Sequence, residues 1–115
     1  MNEKKITVVI NRPPDFKTAE KLRMAVGLTL EDSNKISVVF IDNGVYSVNG
    51  IALDKNPANI EINKSLETLV MLGVTLYAHT PSMEKTGMQA QTHNVSLLSD
   101  GAVAGMLGEQ DTIIS

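Results

Sequence analysis

No cysteine occurs among the 115 residues, which excludes disulfides, thiolate metal ligands and thiol nucleophiles together. Tryptophan is also absent, and Phe16, Phe40, Tyr46 and Tyr77 are the only aromatic residues, so the core has to be aliphatic. No apolar run approaches the ~20 residues that span a bilayer, so no membrane contact is expected. Neither charge sign dominates: the formal net charge is -3 with acids and bases interspersed. Without a basic patch interleaved with aromatics, nucleic-acid binding loses its usual driving force. Met1–Ile6 runs into a strand-like segment without a signal-type apolar stretch, which predicts a cytoplasmic protein and leaves the sequons at Asn63 and Asn94 without meaning.

What remains is ordinary globular composition, 43% hydrophobic and 20% charged, at a length that favours one domain over 1–115. Ile6–Ile10 is β-branched and apolar on both faces, as a buried parallel strand would be. Pro13-Pro14 ends it, and Asp15 is placed to cap a helix. Phe16, Ala19, Leu22, Val26 and Leu30 follow at helical spacing, predicting a helix to about Glu31 or Asp32 with these residues inward. Ile36–Ile41 is a second strand. Asn43-Gly44 then reads either as a hairpin turn or as a strand-to-helix turn leading to a short helix around Val45–Val48. The continuously apolar second strand favours the latter.

Residues 49–59 read as a loop, and Ile62, Leu66, Leu69 and Val70 line a helix that Gly73 closes. Val74–Ala78 and Val95–Leu98 are strands, each followed by a helix: one opening at Thr80-Pro81 and closing near Gly87, the other capped by Ser99 or Asp100. Asp111–Ser115 is a last short strand. Strands alternating with helices predict an α/β fold, a three-layer α/β/α sandwich on a five-stranded, mostly parallel sheet.

Ligands of such sheets bind outside the carboxyl ends of the strands. Asn11, Arg12, Asp42, Tyr46, His79 and Thr80 gather there as candidates for a small-anion or nucleotide-like ligand, against the plainer reading of solvated turns and caps. His79 either ends its strand and bonds a neighbouring loop, or acts as a ligand-binding or basic group with Asp42 or Asp100 orienting it. Metal is rejected, because His93 precedes the fourth strand and belongs at the opposite pole. No cofactor is called for and no catalytic residue is assigned. Gly101, Gly105 and Gly108 do not fit a phosphate-loop spacing and read as close packing of a helix on the sheet.

The order of these segments resembles the DsrE/DsrF-like sulfur-relay family, which includes small subunits of the TusB, TusC and TusD type. The likeness covers nearly the whole length. It rests on the apolar first strand, on Ala25-Val26-Gly27-Leu28, on the run from Val38 through Asp42-Asn43-Gly44 to Tyr46, and on Leu72 through Ala78-His79 with Gly87 eight residues on. The closing helix and strand complete it. The resemblance implies trimers or hexamers, homo- or hetero-oligomeric, whose active members carry a persulfide on a cysteine just after the third strand. Counting back from Gly87, His79 stands at that position, so the family's sulfur transfer is removed here. Some subunits of its mixed assemblies also lack the cysteine and complete the oligomer. The expected function is therefore a non-catalytic structural or regulatory subunit, with the small-ligand protein as the alternative.

Overall fold

The computed structural model describes residues 4–12, 15–31, 33–48, 57–86 and 95–114. Five strands form one sheet in the order β4-β3-β2-β1-β5, all neighbours parallel: β1 Lys4–Ile10, β2 Asn34–Phe40, β3 Thr75–His79, β4 Val95–Leu98 and β5 Thr112–Ile114. Between them run α1 Phe16–Thr29, a 3-10 helix Asp42–Val48, α2 Pro57–Met71, α3 Thr80–Thr86 and α4 Asp100–Gly108. The steps from β1 to β4 all travel one way across the sheet, so right-handed crossovers put α1, α2 and α3 on one face. The return to β5 reverses the direction and sends α4 to the other.

Burial follows this division. Ile6, Val8, Ile10, Ile36, Val38, Phe40 and Leu76 pack against Ala19, Leu22 and Ala25 of α1 and Ile62, Leu66 and Leu69 of α2. On the opposite face, among the described residues, Val9 and Val39 cluster with Val103 of α4, and the partly buried Ile41, Tyr77, Leu98, Met106 and Leu107 pack against them. β1 is buried from Ile6 to Ile10 on both sides, as its unbroken apolar pattern demands. A paired contact sets the start of β5: the Lys5 amide donates to Asp111 Oδ2 at 2.8 Å and the Asp111 amide to the Lys5 carbonyl at 2.9 Å.

Helix ends obey local chemistry. Asp15 caps α1 by accepting from the Thr18 amide at 2.8 Å, and Ser99 caps α4 by accepting from the Ala102 amide at 3.2 Å. After α2, Gly73 adopts φ +83°, its amide bonds the Val70 carbonyl, and the Val74 amide reaches back to Leu69, a Schellman closure.

Four sequence expectations are corrected. α1 ends at Thr29, and its buried face is Thr18, Ala19, Leu22 and Ala25; Phe16 is 63% and Leu30 68% exposed. Phe16 is the first residue of the helix, and Leu30 is its C-cap, past the last turn. α2 begins at Pro57, inside the segment read as a loop, with proline in the first turn where its missing N–H costs nothing. β3 runs Thr75–His79 rather than Val74–Ala78, so that His79 ends the strand, as one of its two readings had it. Gly101, Gly105 and Gly108 do not pack on the sheet: all three are exposed, and a Cβ at any of them meets nothing within 4 Å. The remainder of the 49–59 segment, Gly87 and His93 lie outside the described residues.

The Asn43-Gly44 turn resolves as strand-to-helix. The Ile41 amide bonds the Ile10 carbonyl at 3.0 Å, the Gly44 amide bonds Ile41 at 2.8 Å, and a Cβ on Gly44 would stand 1.8 Å from the Ile10 oxygen. Only glycine fits so close an approach. Gly44→Ala is accordingly expected to destabilise the fold by on the order of 3 kcal/mol, whereas Gly27→Ala, in open space on α1, should gain about 0.5 kcal/mol. Urea midpoints of the two variants check the contrast.

Candidate functional site

At the carboxyl edge, β3 and β4 lead to opposite faces. Met83 of α3 joins the core under α1 and α2, while Val103 of α4 belongs to the other core. Neighbouring strands that diverge in this way open a crevice between their ends, where open α/β sheets receive ligands. His79 spans that crevice. Its Nε2 lies 2.9 Å from Asp100 Oδ1, at the start of α4, and its Nδ1 lies 2.6 Å from Ser82 Oγ in α3. A carboxylate only accepts, so Nε2 carries a proton and donates it to Asp100, while Nδ1 and the Ser82 hydroxyl share the second hydrogen bond. Ser82 Oγ in turn accepts from the Asp42 amide at 2.8 Å.

A hydrogen-bonded chain thus runs from the Asp42 backbone through Ser82 and His79 to Asp100. Ser82 is buried, the His79 side chain is 14% exposed and that of Asp100 88%, so the chain passes from a buried hydroxyl out to solvent. Asp42 itself holds φ +50°, a left-handed conformation that aspartate tolerates better than most side chains and that gathers at functional sites.

Beside this chain lies a cleft of about 510 Å³, lined by Asn11, Asp42, Asn43, Tyr46, Ser82 and Lys85. Three of the six residues singled out from sequence, Asn11, Asp42 and Tyr46, share it. His79 and Thr80 do not line it. Arg12 turns instead to Asp15, 3.0 Å from Oδ2, with both side chains partly exposed. Ser82 and Lys85 escaped the sequence reading although their signal was present: they are three apart, on one face of the helix that Thr80-Pro81 announces. Two further hollows, between α1 and α2 near Phe16 and Ile60 and at the amino edge near Lys35 and Gly73, lie away from the carboxyl ends of the strands.

Among the described residues, no group of three or more His, Asp or Glu side chains is arranged to hold a metal ion, and no helix is long and apolar enough to cross a membrane.

The sequence profile of the DsrE/DsrF-like family matches residues 4–115. The chain belongs to this family. Its fold is similar to that in the crystal structure of the ychN protein from E. coli, with a TM-score of 0.82 at 19% identity over 96% of this chain and 97% of that one. At this identity the likeness speaks for the fold. No curated protein matches the chain by sequence. Within the DsrE/DsrF-like family this member has no cysteine at all.

Burial is the largest single influence on the Asp15 carboxyl and raises it, but hydrogen bonds from Thr18 and Arg12 and the Arg12 charge together outweigh it and hold the group below its ordinary 3.8. Its capping contribution is therefore complete above that ordinary value and lost as pH falls through the lower folded value. Asp15→Ala should cost about 1 kcal/mol at neutral pH, with the gap to wild type closing in acid; stability curves against pH test this. Ser82→Ala, which strands the Asp42 amide, should cost about 1–3 kcal/mol, and Asp100→Ala, at the solvated end, less than about 1 kcal/mol. Equal losses in denaturant titrations would contradict a chain anchored at Ser82.

Proposed function

We propose that this protein is a subunit of an oligomeric DsrE-like assembly in an intracellular sulfur relay, and that it holds the assembly together or regulates it without itself carrying sulfur. The observation that carries the reading is His79. It occupies the position where the family resemblance expects the persulfide cysteine, and both its ring nitrogens are engaged, by Ser82 and by Asp100. A persulfide needs a thiol, and the chain has none. Imidazole at this point joins the ends of β3 and α4 instead of presenting a nucleophile.

Surface chemistry supports the oligomer. The face of the sheet under α4 is thinly covered among the described residues, and α4 carries no charge from Gly101 to Gly108. Gly101, Ala104, Gly105 and Gly108 recur at helical spacing and are all exposed. Leu97 and Ile113 stand exposed on the two edge strands. Apolar surface of this kind is what contacts between subunits cover.

Native mass spectrometry of the gently purified protein tests the reading. A trimer or hexamer is expected, alone or together with a cysteine-bearing DsrE-like subunit captured from the same cells. A monomer at about micromolar concentration that captures no such subunit would sink the proposal.

A further inference from the structure

The polar side chains around the cleft beside Ser82 are uncommitted. Among the described residues, no hydrogen bond or ion pair engages the side chains of Asn11, Asp42, Asn43, Tyr46 or Lys85. They nevertheless converge from three elements: Asn11 from the end of β1, Asp42, Asn43 and Tyr46 from the 3-10 helix, and Lys85 from α3. Solvated turns scatter their polar groups. Here five face one hollow of about 510 Å³, within the range of small-molecule sites. Its backbone is held by the Asp42 amide on Ser82 and by the close passage of Gly44 over Ile10.

The charges narrow the ligand class. One carboxylate, Asp42, and one ammonium, Lys85, line the same cleft without forming a salt bridge to each other. A simple anion would satisfy Lys85 but meet Asp42, and a simple cation would do the reverse. A molecule bearing both an ammonium and a carboxylate satisfies both, with the Asn11 and Asn43 amides and the Tyr46 hydroxyl left for its remaining polar groups. We infer that the cleft is a binding site for a small zwitterion of the amino-acid class. It is separate from the His79 position and does not depend on the oligomer reading.

Most of the lining is exposed, so water competes and binding is weak, with dissociation constants on the order of micromolar to millimolar. The test uses L-serine, L-asparagine and β-alanine as probes, with ethylamine, acetate and inorganic phosphate as controls, each at about 10 mM. Thermal shift and amide-resolved NMR titration of the wild-type protein are the readouts. At least one zwitterion is expected to raise the melting temperature and move the Asn11 and Asn43 side-chain amide signals. Lys85→Met and Asp42→Asn should each weaken that response by about tenfold or more. Asparagine tolerates the left-handed backbone at 42 and keeps the hydrogen bond from the backbone N–H to Ser82 Oγ, and Lys85 is exposed, so each variant checks the other should one fail to fold. Phosphate or acetate binding alone would overturn the proposal in favour of an anion site. It is equally overturned if no zwitterion binds, or if binding survives both substitutions.

Discussion

Everything at the carboxyl edge hangs on the passage of the 41–44 backbone over the carbonyl of Ile10. That oxygen accepts from the Ile41 amide and leaves no room for a side chain on Gly44. The chain leaving β2 is thereby pressed onto the end of β1 and turned at once into a 3-10 helix. Asp42 takes its left-handed conformation in the same turn, and its amide is aimed at Ser82. Were the turn wider, neither the cleft nor the hydrogen-bonded chain through His79 would have a fixed wall.

The second organising contact is that chain. It links the end of β2, the first turn of α3, the last residue of β3 and the first residue of α4. Three of these segments belong to one face of the sheet and α4 to the other, so the imidazole bridges a crevice that the topology would otherwise leave open. A thiol at the same place would bond its neighbours far more weakly. The imidazole at this place therefore acts as a tie between the end of β3 and the starts of α3 and α4.

The two faces of the sheet are unequally built. One carries the closely packed core under α1 and α2, where most of the fully buried aliphatic side chains lie. The other depends on α4, a helix whose outward side is glycine and alanine. Helical glycine weakens a helix relative to alanine, and nothing within the described residues requires it at 101, 105 or 108. The cost makes sense where another surface comes close, which agrees with a subunit that functions in company.

Much of the architecture was legible in the sequence because its signals are local. The unbroken β-branched run of β1, the Asp15 cap and the Gly73 closure each depend on a few neighbouring residues and stand as read, and of the two caps open for α4 the structure takes Ser99. The inward face of α1 holds at Ala19, Leu22 and Val26 but not at Phe16 and Leu30, because periodicity identifies an apolar stripe without saying where along the helix its burial begins and ends. The glycines of α4 were misassigned for a related reason: a small residue signals close approach, but not from which side. At the site, composition and strand order brought Asn11, Asp42, Tyr46 and His79 to one edge. Which of them share a cleft, which partner holds His79, and that Arg12 turns to Asp15, were decided only by tertiary structure. Those contacts join residues far apart in the chain, such as Asp42 with Ser82 and His79 with Asp100, and side-chain direction at a strand end depends on the twist of the sheet and the docking of helices. The amino-acid sequence by itself determined an aliphatic, cysteine-free α/β sheet with its polar groups at the carboxyl edge, since strand, turn and cap chemistry act over a few residues. Packing between distant segments decided what that edge holds.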